Sequence, residues 1–497
     1  MTFTQVTFLI FFPITILCYF VIPRRLRAVW LLLCSYVFYF AQAKSSIPYL
    51  LLVTVVAYLA GYGFERMPVA GKSEQTEINT ESENNFRPEI EHVKRNSQSL
   101  RRTILGLSIL LLVGGLGIFK YAPLDKYSLF MPVGISFFTF QALSYIFDTY
   151  NGKCTAEKDF VKVALFVSFF PTILSGPIQR GASLMPQLEC DYAFDTERVK
   201  RGLFTMLWGY FLKIVISGRL TILTTQVLGG YMNYSGSMLL VAIIAYAFLI
   251  YCDFAGYSYI AIGAGRIMGF DLGINFRQPY LCGSIGEFWR RWHISLSGWF
   301  RDYLYIPLGG SRKGTLRKYL NVMIVFAVSG IWHGNTVNFL IWGILNGAYQ
   351  VAGQILTPFK TAFGKITHLS DHDRLRRILA VIGCFILLDI AWIFFAIPSF
   401  SDALNVIGRI FTGFDFADLV NGSVFSLGLG VRNLVIAAFA IILLIASDIA
   451  CEVNDCDIAG LLPKIKTIWR WVIYYGLIIM ILFSVNLSTT EFIYSRF

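Results

Sequence analysis

The chain has 497 residues, 56% of them hydrophobic and 14% charged, with 42 Lys and Arg against 30 Asp and Glu. Its mean hydropathy is positive. These values exclude an ordinary soluble domain and fit a polytopic integral membrane protein. The net charge of +12 does not mark a nucleic-acid binder, because the basic residues fall in short clusters between apolar runs, as in cytoplasmic loops.

Apolar runs near the spanning length of about 20 residues begin around residues 6–22, 28–43 and 48–65. Arg24, Arg25 and Arg27 follow the first, and Arg66, Lys72, Arg87, Lys94, Arg95, Arg101 and Arg102 follow the third. The positive-inside rule then places both loops in the cytoplasm and the N-terminus outside. The first run has no basic segment before it and no small-residue cleavage site after it, so it reads as a retained helix. Residues 66–102 are polar and poor in apolar side chains, and are expected to form a mobile cytoplasmic loop.

Further runs follow at 103–120, 129–147, 160–176, 202–217, 236–252, 318–333, 336–355, 377–397, 431–450 and 468–488. The expected fold is an all-α bundle of roughly 11 spanning helices, with the remaining apolar segments re-entrant or interfacial. We treat residues 1–497 as one membrane domain, with the chemistry at about 251–349.

The nine cysteines contain no C-x-x-C pair, so neither a disulfide framework nor a zinc site is indicated. Of five histidines, His92 lies in the polar insertion. His368 and His372 lie in a second polar segment and read as loop residues without a third metal ligand. His293 and His333 remain, both in a stretch dense in Gly, Arg and aromatic residues.

His293 belongs to GEFWRRWHISLSGWFRDYLYI, Gly286 to Ile306. Arg290 and Arg291 would together cost about 5 to 7 kcal/mol at the centre of a lipid-facing helix, so this segment should not span lipid. Read as a helix, it sets Phe288, Trp292, Leu296, Trp299, Phe300 and Tyr303 along one side. An interfacial aromatic belt with snorkelling arginines accounts for the tryptophans; it does not ask for an imidazole. His333 sits in SGIWHGN, Ser329 to Asn335, at the edge of a span, where ionisable residues are functional candidates. Burial favours neutral imidazole, the form that accepts a proton as a general base. No P-loop, G-x-S-x-G, H-E-x-x-H or EF-hand pattern occurs in the sequence, which leaves chemistry simple enough for histidine and backbone donors, such as acyl transfer from an activated donor.

A long ordered series of residues resembles the membrane-bound O-acyltransferase superfamily, in its bacterial alginate O-acetyltransferase branch. It comprises Pro132–Gln141, Ser175–Arg180, Asp253–Ser258, Gly269–Phe270, Asn275–Phe276, Pro279–Tyr280, Glu287–Ser297, Arg301–Gly310, Arg312–Gly314 and Phe492–Tyr494. The resemblance covers nearly the whole length. It implies spanning and re-entrant helices around a central tunnel, His333 of the W-H-G element as the catalytic histidine, and His293 of W-R-R-W-H as its companion. One departure is Asn335-Thr-Val-Asn338, where the family often carries an aromatic residue.

The reading that follows is transfer of acetyl from a cytoplasmic thioester, acetyl-CoA, to hydroxyls of an extracellular polysaccharide, with no bound cofactor and no metal. His333 would take the hydroxyl proton, while His293 would orient the donor or stabilise the oxyanion. Arg290, Arg291, Trp292, Trp332 and Asn335 are the expected substrate-binding residues, with Arg312 and Lys313 as further cations for CoA phosphates. The resemblance also implies an extracytoplasmic SGNH-type acetyltransferase as partner. D-alanyl transfer to teichoic acid from a carrier protein and a proton-coupled transporter are the alternatives.

Overall fold

The computed structural model describes residues 1–67, 83–122, 131–366 and 372–485. Among the described residues the regular structure is entirely helical. The chain packs into two compact units, Met1–Asp195 with Met268–Leu272, and Thr196–Ile267 with Gly273–Phe497.

The first unit contains α1 (Val6–Val21), α2 (Arg27–Phe40), α3 (Ile47–Glu65), α4 (Glu83–Tyr121), α5 (Ile135–Tyr150) and α6 (Phe160–Ser168). The polar stretch expected as a loop over 66–102 is therefore helical from Glu83, continuous with the apolar run after it. Arg101, buried in that helix, is held by the carbonyls of Phe64, Met67 and Tyr150 at 2.7 to 2.9 Å. These backbone acceptors satisfy a charge that lipid would refuse. Helix α5 is buried nearly all round, so its apolar sequence serves the protein interior. In the Ser175–Arg180 element, Gln179 donates to the carbonyls of Pro177 and Leu272.

The second unit contains α7 (Thr196–Tyr210), a π-helical stretch (Phe211–Ser217), α8 (Gly218–Gly229) and α9 (Gly236–Met268), then α10 (Ile285–Arg291) and α11 (Ile294–Phe300). A hairpin of α12 (Thr315–His333) and α13 (Val337–Ile355) follows; α14 (Asp373–Ala396) packs against α13, whereas α15 (Gly430–Asn454) and α16 (Thr467–Leu482) pack against the π-helical stretch.

Six helices among the described residues are long and apolar enough to cross a membrane, at Lys44–Glu65, Asn96–Tyr121, Thr196–Gly229, Gly236–Met268, Asp373–Ala396 and Gly430–Asn454. Val6–Val21 and Thr467–Leu482 are shorter apolar helices. Two of the other apolar runs form shorter helices. The run at 160–176 breaks after Ser168, and the helix at 28–43 is 14 residues long, about 21 Å at 1.5 Å per residue.

The α12–α13 hairpin carries His333 and depends on a close helix crossing. A methyl group at Gly330 would be driven into the carbonyl of Phe339, and one at Gly343 into the carbonyl of Phe326. Both obstacles are backbone and cannot swing aside. Gly343→Ala is therefore expected to destabilise the protein by about 1–3 kcal/mol, read as a lower melting temperature in detergent. An unchanged melting temperature would show that the crossing is loose.

Candidate active site

The GEFWRRWH segment is not the single helix expected from its periodicity. It breaks between Arg291 and Ile294, where His293 adopts a left-handed conformation with φ 41° and ψ 54°. The apolar face holds on both sides of the break: Phe288, Trp292, Leu296, Trp299 and Phe300 are all buried. Tyr303 lies in a π-helical turn over Arg301–Tyr305.

His293 is buried, with the ring of Phe254 edge-on at 4.5 Å. Its Nδ1 lies 3.1 Å from Asn275 Oδ1. Burial lowers its pKa from 6.5 to about 3. The unfolded chain thus binds the proton more readily, so this residue weakens folding as pH falls from about 6.5 towards about 3.

His333 is the last residue of α12, with Gly334 beyond it in extended backbone. Its ring meets Trp332 at 4.7 Å, Trp342 at 4.8 Å and Phe395 at 5.2 Å. The partial negative charge of a helix C-terminus lies beside the ring. The two histidines join one aromatic cluster: Trp292 packs on Trp392 at 5.4 Å, and Trp392 on Trp342 at 6.0 Å.

A cavity of about 1530 Å³ runs between α10, α11, α12, α13 and α14. Its lining includes Ile294 and Leu296, close in sequence to His293, and Ser329, one turn before His333; neither histidine itself lines it. Lys318 on the same helix as Ser329 also lines it, some 11 residues earlier and so about 16 Å away along the axis. Arg290, Arg301, Lys318 and Arg376 line the walls, and no carboxylate does among the described residues. Arg301 is paired with Asp302 at 2.8 Å and Arg376 with Asp373 at 2.6 Å, so the wall's complementarity to an anion rests chiefly on Arg290 and Lys318.

Of the expected substrate-binding residues, Arg290 is on this wall. Arg291 is instead clamped by Glu452, at 2.7 Å to each oxygen, and by Glu287 at 2.8 Å, with the guanidinium pKa raised chiefly by the Glu452 hydrogen bonds. It ties α10 to α15. Trp292 is stacked on Phe288 at 5.3 Å in the core, Trp332 flanks His333, and Asn335 is exposed. Arg312 and Lys313 are exposed and off the cavity wall. Sequence reasoning missed Lys318 and Arg376, whose only signal was a basic residue one turn inside an apolar helix. His368 and the Phe492–Tyr494 element lie outside the described residues.

Residues 157–387 match the model of the membrane-bound O-acyltransferase family. A probable alginate O-acetylase of Pseudomonas syringae is 33% identical, over 84% of this chain and 76% of the relative. The chain belongs to the membrane-bound O-acyltransferase family. A peptidoglycan O-acetyltransferase of Helicobacter pylori is 30% identical over 80% of the chain and 77% of that protein. A teichoic acid D-alanyltransferase of Bacillus subtilis matches less of it, 27% identical over 43% of the chain and 56% of the relative. The family match covers the cavity walls and both histidines, and the O-acetylating relatives align over most of the chain.

Proposed function

We propose that the protein transfers acetyl groups from acetyl-CoA to hydroxyls of an extracellular polysaccharide, with His333 as general base. The observation that carries this reading is the cation-lined cavity that reaches within one turn of His333, in a chain whose relatives aligned over most of its length are named probable alginate O-acetylase and peptidoglycan O-acetyltransferase. The donor's phosphates rest on Arg290, Lys318 and Arg376, with charge-assisted bonds. Its thioester extends along α12 towards His333. The acceptor hydroxyl gives its proton to His333 as its oxygen attacks the acetyl carbonyl, and the CoA thiolate leaves.

The positive-inside rule puts the basic mouth on the cytoplasmic side and the N-terminus outside, in the inner membrane. On the far side the hydroxyl that takes the acetyl belongs to the polymer itself or to an SGNH-type acetyltransferase that relays it to the polymer. Purified protein in vesicles, given labelled acetyl-CoA and soluble polysaccharide with and without the SGNH-type partner, tests the reading. Label appearing in polymer supports it; turnover of an aminoacylated carrier but not of acetyl-CoA overturns it.

The cavity cations make a separate prediction. Arg290→Gln with Lys318→Gln is expected to raise the KM for acetyl-CoA roughly tenfold, from about 1.4 kcal/mol of lost, partly screened attraction, with kcat little changed. A KM equal to that of the parent would remove the phosphates from this wall.

A further inference from the structure

We propose that Asn275 is a positioning residue that locks His293 in its Nδ1-protonated form, so that Nε2 carries a lone pair and no proton. This rests on the acyl-transfer reading above and goes beyond it by fixing which nitrogen of His293 carries the proton.

The argument begins with a donor whose identity is not adjustable. The backbone N–H of Ser295 points at the side chain of Asn275, 3.2 Å from the atom placed as Oδ1. A backbone N–H only donates, so that atom is the oxygen and not the amide nitrogen. The other end of the amide agrees: Asn275 Nδ2 donates to Ser258 Oγ at 3.1 Å. The same Oδ1 accepts from Ser295 Oγ at 2.9 Å and faces His293 Nδ1 at 3.1 Å. A ring nitrogen bonded to an acceptor oxygen must carry its hydrogen. In a neutral imidazole the second nitrogen then carries none.

The backbone is held by the same residue. The carbonyl of Asn275 accepts from the N–H of Ile294 at 2.9 Å, and two residues on, Arg277 N–H donates to the carbonyl of Arg291 at 2.9 Å. These bonds bracket His293 and keep it at a positive φ, which a residue with a side chain adopts only where its surroundings impose it. Phe254 and Ser258, one helical turn apart on α9, complete the socket, the first against the ring and the second against the amide.

Ionisable groups on the packed elements are already engaged. Asp253 on α9 bonds Lys213 and Ser217, and Glu287 and Arg291 on α10 pair with each other. Arg290 faces the cavity, and beyond α11 Arg301 bonds Asp302 at 2.8 Å. Burial keeps the ring neutral down to a pKa of about 3. Of the two roles open to His293, this geometry selects orientation. An unprotonated Nε2 accepts a hydrogen bond from a hydroxyl or amide, whereas it would repel a developing oxyanion.

Asn275→Asp tests the assignment. A carboxylate keeps the bonds from Ser295 and from Nδ1–H, and Ser258 can donate to it in turn, so the socket survives. The negative charge favours imidazolium, which protonates Nε2. Activity of this variant should fall as pH is lowered through the raised pKa of His293 and recover at higher pH to within about threefold of the parent. The parent should lack this extra acid limb.

A second measurement does not depend on the variant folding. In protein labelled with nitrogen-15 histidine, the signal that disappears in His293→Gln should carry the nitrogen shifts of the Nδ1-protonated tautomer. Shifts of the Nε2-protonated tautomer, or an Asn275→Asp profile that superimposes on the parent, would overturn the lock. Parental activity in His293→Gln would instead overturn the functional reading of the site, whichever tautomer is found.

Discussion

Replacing His333 with Ala is expected to lower acetyl transfer by about 10²–10⁴-fold, the usual contribution of a positioned general base. The ring ends α12, inside a wall formed by Trp332, Trp342 and Phe395. Nothing in that wall can replace it as a proton acceptor, since indole and phenyl groups offer no basic nitrogen. Truncation also opens a void beside Trp342 and Phe395, and lost packing alone would reduce activity through unfolding. His333→Gln separates the two effects, because it keeps most of the volume and removes the base. Both variants should lose acetyl ester from the exported polymer and transfer in vesicles, while His333→Gln melts close to the parent. More than a tenth of parental transfer in the glutamine variant would remove His333 from the chemistry.

Why His333 was legible and the surroundings of His293 were not has a physical explanation. His333 ends a 19-residue apolar helix that starts at Thr315, so a polar residue against that pattern stands out in sequence. The burial of Phe288, Trp292, Leu296, Trp299 and Phe300 was also readable, because a 3.6-residue apolar period survives a local break. The break itself was not. No Gly or Pro marks it, and the left-handed turn at His293 is imposed by Asn275, 18 residues earlier in the chain. A short amide side chain amid Gly, Ile and Phe was the available signal, and it belonged to a motif noted for resemblance alone. The partner of Arg291 was equally out of reach, since Glu452 lies 161 residues away. Local pattern finds faces and ends of helices; which arginine meets a carboxylate and which meets a cavity is settled by packing.

The buried ion pair of the second unit carries the largest expected stability effect. Lys213, in the π-helical stretch between α7 and α8, bonds Asp253 on α9, and both side chains are 2% exposed. Ser217 donates to the same carboxylate oxygen at 2.8 Å, and the Lys213 ammonium lies 5.0 Å over the ring of Tyr257. Such a pair gains little over an apolar pair of equal volume, yet removing one member strands a charge at a cost of about 3–5 kcal/mol. Net stabilities of about 5–15 kcal/mol leave little after that loss. Asp253→Asn and Lys213→Met are each expected to melt far below the parent or fail to accumulate in the membrane. The double variant Lys213→Met with Asp253→Leu should recover, because no charge is left unpaired. Single variants as stable as the parent would show that water reaches the pair.

The recovered double variant also reports on the site. Asp253 precedes Phe254, and Ser258 follows one turn later, so the rotation of α9 set by this pair aims both supports of the His293 socket. With the charges gone and the fold restored, reduced kcat would assign the pair to aiming His293, and an unchanged kcat would assign it to registering α9 against the π-helical stretch.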